Sequence, residues 1–224
     1  MPLPRVITFD VFSALIDARS GGGAALDELA ADRSWPVRGT DVYTRWDALN
    51  KEAQRTCRTW VPFRELSRLA LAETYRQLGL PGDATPDTDR LLASVADWPL
   101  WPDTASGLAR LAGHLTVGVL SNVDDDIFAL TRVAPLVDPG HTYTSERLHA
   151  YKPAPPIYLE TARRAGPAFT HVATSARDVR GALEAGIPTI HMRRPGHHLD
   201  PAGPVPRHTA TGMDQISDLV STLG

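Results

Sequence analysis

The chain has 224 residues and a mass of 24.3 kDa, with 42% hydrophobic residues, 22% charged residues and a formal net charge of −3. This mild acidity argues against a nucleic-acid surface, which needs clustered basic charge, and no apolar run approaches the roughly 20 residues that cross a membrane. The single cysteine, Cys57, cannot form an internal disulfide, and the N-terminus enters a strand-like run with no room for a signal peptide, so we expect a cytoplasmic α/β protein of enzyme size.

Short β-rich runs alternate with helical patterns along the chain, which is typical of a parallel sheet with crossover helices. Five such runs are predicted, at residues 6–9, 115–120, 141–144, 169–173 and 187–191. Between the last two runs, residues 179–185 form a short helical pattern that Gly186 ends as a C-cap. Residues 195–206 are rich in proline and glycine and should form an irregular loop without a site, although they contain His197 and His198.

About a hundred residues separate the first and second runs, far more than a crossover connection needs. Three helices are predicted there, over residues 42–60, over residues 62–78 with a stop at Gly79, and over residues 87–96. The first of these helices carries an apolar stripe, which is buried either within the chain or against a second copy in a homodimer. The stripe consists of Val42, Trp46, Leu49, Ala53, Cys57 and Trp60.

These patterns predict an α/β fold, a Rossmann-like core with a parallel sheet and an inserted helical cap. The core domain is expected at residues 1–16 and 96–224, and the cap domain at residues 17–95. Trp98 and Trp101 follow the last predicted cap helix, so we expect them to fill the junction between cap and core.

Polar residues follow the predicted strands at the edge where open parallel sheets bind ligands. These residues are Asp10, Ser121 with Asn122, Lys152 and Asp178. Each alone has a commonplace explanation, as a turn or cap residue, a solvated lysine, or a partner of a neighbouring arginine. Their common position at one sheet edge favours a site. The acidic run at residues 124–126 is instead expected to face the dipole of its own helix.

The motifs around these residues resemble those of the haloacid dehalogenase (HAD) superfamily, and the resemblance covers nearly the whole chain. Residues 7–12 (ITFDVF) resemble its first motif, whose aspartate is the nucleophile, and residues 120–122 (LSN) resemble the second. Residues 151–153 (YKP) and 174–178 (TSARD) resemble the third and fourth motifs. An inserted helical cap is also the arrangement of one HAD subgroup.

The resemblance points to one branch of the superfamily. HAD phosphatases usually carry a second aspartate where this chain has Phe12, and a further magnesium carboxylate where it has Thr174. Asp10 alone would make a poor magnesium site, so neither a metal nor another cofactor is expected. The aromatic residue, the Ser-Asn pair and Tyr158 are similar to the L-2-haloacid dehalogenase branch, which works without metal.

This branch implies a role for each strand-end residue, with a short 2-haloacid or related carboxylate as the substrate. Asp10 would attack the carbon that bears the halide, and water would hydrolyse the resulting aspartyl ester. Lys152, held by Asp178, would keep Asp10 ionised. Ser121 and Asn122, at the start of a helix, would bind the substrate carboxylate through the hydroxyl and backbone N–H groups.

The resemblance also implies further substrate-binding residues, of which Arg45 on the cap is expected to receive the halide. Arg19, Arg55 and Arg58 are alternatives to it, and Phe12, Tyr158 and Ser175 complete the predicted set. The chain departs from the branch at Ser13-Ala14, where Gly-Thr is usual, and at Ser175, where asparagine is usual. Two alternatives therefore stay open, a phosphatase of a small phosphorylated metabolite and a HAD-fold binding protein without catalysis.

Overall fold

Six parallel strands form one sheet in this computed structural model, which describes residues 5–222. The strand order is β3-β2-β1-β4-β5-β6, the classic Rossmann order. The strands are β1 (Val6–Phe9), β2 (Thr116–Ser121), β3 (Thr142–Thr144), β4 (Phe169–Ala173), β5 (Thr189–Met192) and β6 (His208–Ala210). The predicted α/β fold with a parallel sheet is therefore confirmed.

Strand β1 lies at the centre of the sheet, between β2 and β4. The chain continues from β1 to β2 on one side and later resumes at β4 on the other, so the direction of strand order reverses beside β1. Asp10 follows β1 directly, and its backbone N–H donates to the carbonyl of Val172 in β4 at 3.0 Å. This places Asp10 at the switch point where such sheets form their ligand crevice.

The sixth strand was not among the predicted ones, because a three-residue run beside a proline-rich loop carries little periodic pattern. It extends the sheet by pairing with β5 in parallel register, Ile190 opposite His208. Strand β5 begins at Thr189, two residues later than predicted, since the N–H of Ile187 instead closes the end of the preceding helix on Ala182. The loop at residues 195–206 contains neither helix nor strand.

Five α-helices lie between β1 and β2, and the first four are α1 (Ala18–Asp32), α2 (Gly39–Thr56), α3 (Phe63–Leu78) and α4 (Ala84–Ala93). A short 3-10 turn, Ser94–Ala96, follows them, and we call residues 18–96 the helical insert. Helix α3 matches its prediction, whereas α2 ends at Thr56, so Cys57 and Trp60 lie beyond it. The division into a core domain and a cap domain stays a prediction.

Helix α1 was missed because it contains the run Gly21-Gly22-Gly23, and glycine is a poor helix former. The run permits close packing instead. A Cβ on Gly21 would lie 2.4 Å from Cγ of Trp98, and one on Gly22 would lie 2.3 Å from Cε2 of Tyr43. The glycines thus let α1 lie directly against Trp98 and α2.

Both tryptophans of the predicted junction contact the turn that follows β1. Trp98 meets Phe12 edge-on with 5.8 Å between ring centroids, and Nε1 of Trp101 donates to the carbonyl of Ser13 at 3.0 Å. They connect the end of the helical insert to the sheet edge where Asp10 lies.

The remaining helices pack around the sheet: α5 (Thr104–Ala112), α6 (Asp125–Leu130), α7 (Ser145–Leu148), α8 (Pro155–Ala165), α9 (Ala176–Glu184) and α10 (Asp214–Thr222). The helix predicted at residues 179–185 is the later part of α9, and Gly186 after it has a left-handed φ of +75°. No helix within residues 5–222 combines the length and apolar character that a membrane crossing requires.

Candidate active site

A cavity of about 490 Å³ lies between the carboxyl ends of β1 and β2 and the helical insert. Its wall contains most of the residues predicted to bind or react with a ligand. These are Asp10, Phe12, Ser121, Asn122, Lys152 and Ser175. Residues of α1 and α2 also line the cavity, so the helical insert forms the part of its wall that faces the sheet edge.

Asp10 is 8% exposed and presents its carboxylate to the cavity. The chain turns sharply after it through a short π-helical segment, Val11–Leu15, which brings the Ser13 hydroxyl back to donate to Oδ2 of Asp10. Nζ of Lys152 donates to Oδ1 at 2.7 Å. A carboxylate oxygen can accept more than one hydrogen bond, so these contacts orient the group and leave lone pairs for reaction.

Lys152 is buried, and its ammonium uses its three donors on three acceptors. Nζ lies 2.7 Å from Oδ1 of Asp10, 2.6 Å from Oδ2 of Asp178 and 2.8 Å from the carbonyl oxygen of Leu120. Burial opposes the charge on Lys152, but the two carboxylates outweigh burial and raise the pKa of its ammonium above the ordinary value. The lysine therefore stays cationic beside Asp10.

Asp178 is 1% exposed and lies behind Lys152. Its Oδ1 accepts from the hydroxyl of Tyr158 at 2.8 Å, and Nε2 of His171 lies 3.2 Å from the same oxygen. Burial by itself would raise the pKa of Asp178, but Lys152 and His171 outweigh it and hold that pKa well below the usual range. Asp178 is thus a fixed anion that orients Lys152.

His171 extends this network into the sheet and was not predicted. It is fully buried on β4, and its Nδ1 lies 2.9 Å from the hydroxyl of Thr8, its register partner on β1. The only indication in the sequence is a pair of polar residues within two otherwise apolar strands. Such a pair also occurs without any function, so a contact with Asp178 could not be inferred from it.

The network predicts how stability depends on pH. Because the pKa of Asp178 is lower in the folded chain than the value of about 3.9 in an unfolded one, its stabilising effect is present above that value and is lost as pH falls below it. The pKa of Lys152 is raised, so its effect is lost only in strong alkali, as pH rises above about 10.4. We expect a stability plateau between these limits.

Urea unfolding between pH 7 and pH 3 checks this expectation, with D178N as the test variant. The free energy of unfolding of D178N should fall less steeply with acid than that of the wild type. The control D41N removes an exposed carboxylate that pairs with Arg38, and it should leave the acid slope nearly unchanged. Equal slopes for D178N and the wild type would contradict the assignment.

Ser121 and Asn122 use their side chains differently. Oγ of Ser121 is buried in the cavity wall and has no hydrogen-bond partner among residues 5–222. The amide of Asn122 is occupied, since Oδ1 accepts from the N–H of Lys152 at 2.7 Å and Nδ2 donates to Oε1 of Gln54 at 2.8 Å. The prediction that this pair starts a helix is wrong, because α6 begins only at Asp125.

Two of the predicted substrate-binding residues do not line the cavity. Arg45 is exposed, and its Nε donates to Gln77 of α3. It neighbours Trp46, which does line the cavity, and successive residues of a helix point about 100° apart. Tyr158 is fully buried and reaches Asp178 rather than the cavity. Of the alternatives to Arg45, Arg19 lines the cavity, whereas Arg55 and Arg58 do not.

The cavity wall also contains residues that the sequence did not indicate. Arg177 of α9 donates from Nη1 to the carbonyl of Lys51 at 3.1 Å and from Nη2 to Oε1 of Gln54 at 2.6 Å. His197 lines the cavity from the loop that was predicted to carry no site, and burial lowers its pKa. Loop residues have no periodicity that would show which of them face a cleft.

The donor set around Asp10 does not fit a magnesium ion. Phe12 contributes a ring, the hydroxyl of Thr174 donates to the carbonyl of Met192 at 2.8 Å, and the ammonium of Lys152 occupies Oδ1 of Asp10. Magnesium binds through oxygen ligands, usually with one or two carboxylates. Within residues 5–222, no group of three or more His, Cys, Asp or Glu side chains is placed to hold a metal.

The acidic run at residues 124–126 serves two helices. Asp125 and Asp126 lie in the first turn of α6, as predicted. Asp124 precedes them, and its carboxylate accepts from the backbone N–H groups of Phe63 and Arg64 at 2.8 and 2.9 Å. Asp124 therefore caps α3 of the helical insert, which ties the insert to the segment after β2.

Several solved structures with a similar fold are those of dehalogenases. The L-2-haloacid dehalogenase from Xanthobacter autotrophicus is 20% identical, with 99% of this chain and 100% of that chain covered and a TM-score of 0.84. A defluorinating L-2-haloacid dehalogenase is 24% identical over 98% of this chain and 95% of that chain, with a TM-score of 0.81. The protein YfnB of Bacillus subtilis, determined bound to magnesium, is 15% identical over 97% of this chain and 98% of that chain, with a TM-score of 0.75.

No family model and no curated protein matches the chain. At these identities the structural matches establish the fold alone, which this chain shares with the proteins named above. The chemistry has to be argued from the site itself.

Proposed function

We propose that this protein is a metal-independent hydrolase of the HAD type that removes halide from a short 2-haloacid through an aspartyl-ester intermediate. The observation that carries the proposal is the contact of Asp10 with Lys152 at 2.7 Å in the cavity wall, backed by Asp178 at 2.6 Å from the same ammonium. This arrangement places the carboxylate of Asp10 beside a cation and in the wall of a cavity, where a carboxylate nucleophile could meet a substrate.

The first step would form a carbon–oxygen bond. An oxygen of the Asp10 carboxylate attacks carbon 2 of the haloacid, and the carbon–halogen bond breaks with both electrons leaving on the halide. The ammonium of Lys152 donates to Oδ1 of Asp10 at 2.7 Å and so orients the attacking carboxylate. Phe12 lines the cavity and provides an apolar surface for the carbon chain.

The second step would regenerate the enzyme. A water molecule attacks the carbonyl carbon of the ester, and the bond between that carbon and the alkoxide oxygen breaks. One proton of the water passes to the alkoxide oxygen to give the 2-hydroxy acid, and the other is released to solvent. Asp10 returns to a carboxylate that carries one oxygen from water. Ser175 lines the cavity at the position where the L-2-haloacid dehalogenase branch has asparagine. Its hydroxyl is proposed to help position the water.

The substrate carboxylate would bind at Ser121. Its buried hydroxyl lacks a partner in the described chain and lines the cavity, and such a group normally finds a hydrogen bond from a ligand or from water. The side chain of Asn122 is occupied elsewhere, so only its backbone N–H is proposed to contribute.

A two-assay screen tests the proposal. Halide release is measured over short 2-haloacids in both configurations, beside phosphate release from a generic phosphate ester, each with and without EDTA. We expect halide release that EDTA leaves unchanged. Phosphate release that requires magnesium would instead indicate the phosphatase alternative, and silence in every assay would favour a HAD-fold binding protein.

A further inference from the structure

His171 is a buried histidine of the sheet that no step of the proposed reaction uses. It is fully buried on β4, and each of its ring nitrogens has a polar partner. Nε2 lies 3.2 Å from Oδ1 and 3.3 Å from Oδ2 of Asp178. Because an ionised carboxylate only accepts hydrogen bonds, Nε2 carries a proton and donates to Asp178.

The parallel register of β1 and β4 places His171 beside the strand that carries the proposed nucleophile. Thr8 lies opposite His171, and Nδ1 of the imidazole lies 2.9 Å from the Thr8 hydroxyl. Asp10 follows Thr8 by two residues in extended backbone, and side chains at this spacing point to the same side. The imidazole therefore lies on the same side of the sheet as the Asp10 carboxylate.

These contacts close a ring that begins and ends on β1. From Asp10 the ring passes through Lys152, whose Nζ lies 2.7 Å from Asp10 and 2.6 Å from Asp178. From Asp178 it returns through His171 to the hydroxyl of Thr8. The strand that leads to the reacting carboxylate thus also anchors the far end of the network that orients it.

Asp178 accepts from three side chains, and His171 acts on it differently from the other two. Tyr158 donates to Oδ1 at 2.8 Å and Lys152 donates to Oδ2 at 2.6 Å, so each of these bonds holds one oxygen. Nε2 of His171 lies at nearly the same distance from both oxygens. All four side chains are buried, where a lost hydrogen bond is not replaced by one to bulk water. Without the imidazole, the carboxylate of Asp178 would be free to shift, and the ammonium of Lys152 with it.

Building on the function proposed above, we propose that His171 is a positioning residue: it fixes Asp178 and, through the ammonium of Lys152, the direction of the reacting carboxylate. A misplacement of about 1 Å at a reacting group can cost on the order of 10²-fold in rate. His171 is not among the residues that line the cavity, so its effect passes through the network and not through contact with the substrate. Its loss should therefore lower kcat and leave KM nearly unchanged.

Three substitutions separate the roles of the two ring nitrogens. H171Q places an amide near the position of Nε2 and can still donate to Asp178, whereas H171N places one near Nδ1 and can reach only Thr8. H171F keeps a ring and removes both nitrogens. With a 2-chloro acid, H171N and H171F should lower kcat by on the order of tenfold and leave KM within about twofold. H171Q should keep kcat within about threefold of the wild type.

T189V is the matched control for a purely structural effect. Thr189 lies opposite His171 on β5 and is buried, and its hydroxyl donates to the carbonyl of Ile187 at 2.8 Å, away from the network. T189V should lower the melting temperature, as H171N does, but leave kcat unchanged. Equal kcat in H171Q and H171F, or a loss of kcat in T189V as large as in H171N, would reduce His171 to a support of the fold and overturn the proposal. Wild-type kcat in folded H171N and H171F would overturn it as well.

The ammonium of Lys152 reports the positioning without turnover. The chain has two lysines, so labelling lysine with heavy nitrogen gives two ammonium signals in NMR, and K51M identifies the signal of Lys152. H171N and H171F should shift this signal, whereas H171Q and T189V should leave it in place. A signal that H171N and H171F do not move would overturn the proposal, even in a protein that releases halide. A wild type that releases no halide, with the signal shifted in H171N, would instead overturn the proposed function and leave the positioning of Lys152 by His171 standing.

Discussion

D10N should abolish halide release, lowering kcat by on the order of 10⁴-fold or more, as is found when a nucleophile is removed. An amide cannot attack the carbon that bears the halide, yet it has the size of the carboxylate and can still accept from Lys152. The fold should therefore be preserved, with a melting temperature near that of the wild type. Steady-state halide release and circular dichroism measure the two effects.

The matched control for this experiment is D47N. Asp47 also lines the cavity, but it pairs with Lys51 at 31% side-chain exposure, so its loss should cost far less activity. A single turnover in water enriched in heavy oxygen adds a second check, since the label should enter the carboxylate of Asp10 before the product. Folded D10N with wild-type turnover would remove the aspartyl-ester mechanism.

K152M should remove activity and also destabilise the fold by about 3–5 kcal/mol, the usual cost of leaving a buried charge without its partner. The substitution leaves Asp10 and Asp178 facing each other across an apolar side chain, without the ammonium that now lies 2.7 and 2.6 Å from them. Urea unfolding at neutral pH measures the loss.

The double variant K152M/D178N distinguishes charge from packing. If uncompensated charge causes the loss, removing the carboxylate of Asp178 should restore part of the stability but none of the activity. K51M, at the other lysine of the chain, breaks a half-exposed pair with Asp47 and should cost no more than about 1 kcal/mol. Equal destabilisation of K51M and K152M would contradict the central role of the buried cation.

The sequence predicted the parts of the fold whose residues follow a regular pattern. Strands β1 and β4 are short, buried runs rich in β-branched and aromatic residues, and their predicted bounds match the structure. Helix α1 contradicts its local propensity, because its glycines serve contacts with Trp98 and Tyr43 that only the folded chain reveals. The end of α2 was predicted too late, because the apolar stripe in the sequence continues past Thr56 although the helix ends there.

The candidate site also contains both residues that the sequence indicated and residues that it did not. Asp10 follows β1, Lys152 follows α7 and Asp178 lies in the first turn of α9, and the topology brings these three residues into contact. Arg177 and His197 could not be assigned, because whether a side chain on a helix start or a loop faces a cavity depends on the packing of distant segments. Neither residue type nor spacing carries that information.

The two hydrogen bonds that Gln54 accepts limit how this protein can be redesigned. The side-chain oxygen of Gln54 on α2 accepts hydrogen bonds from both Asn122 and Arg177, so this one residue of the helical insert orients a side chain after β2 and a side chain of α9. Replacing the helical insert by that of a related protein would therefore also change the hydrogen bonds of Asn122 and Arg177. Such a chimera would lose the hydrogen bond that orients Arg177, unless the related protein carried a hydrogen-bond acceptor at the position of Gln54.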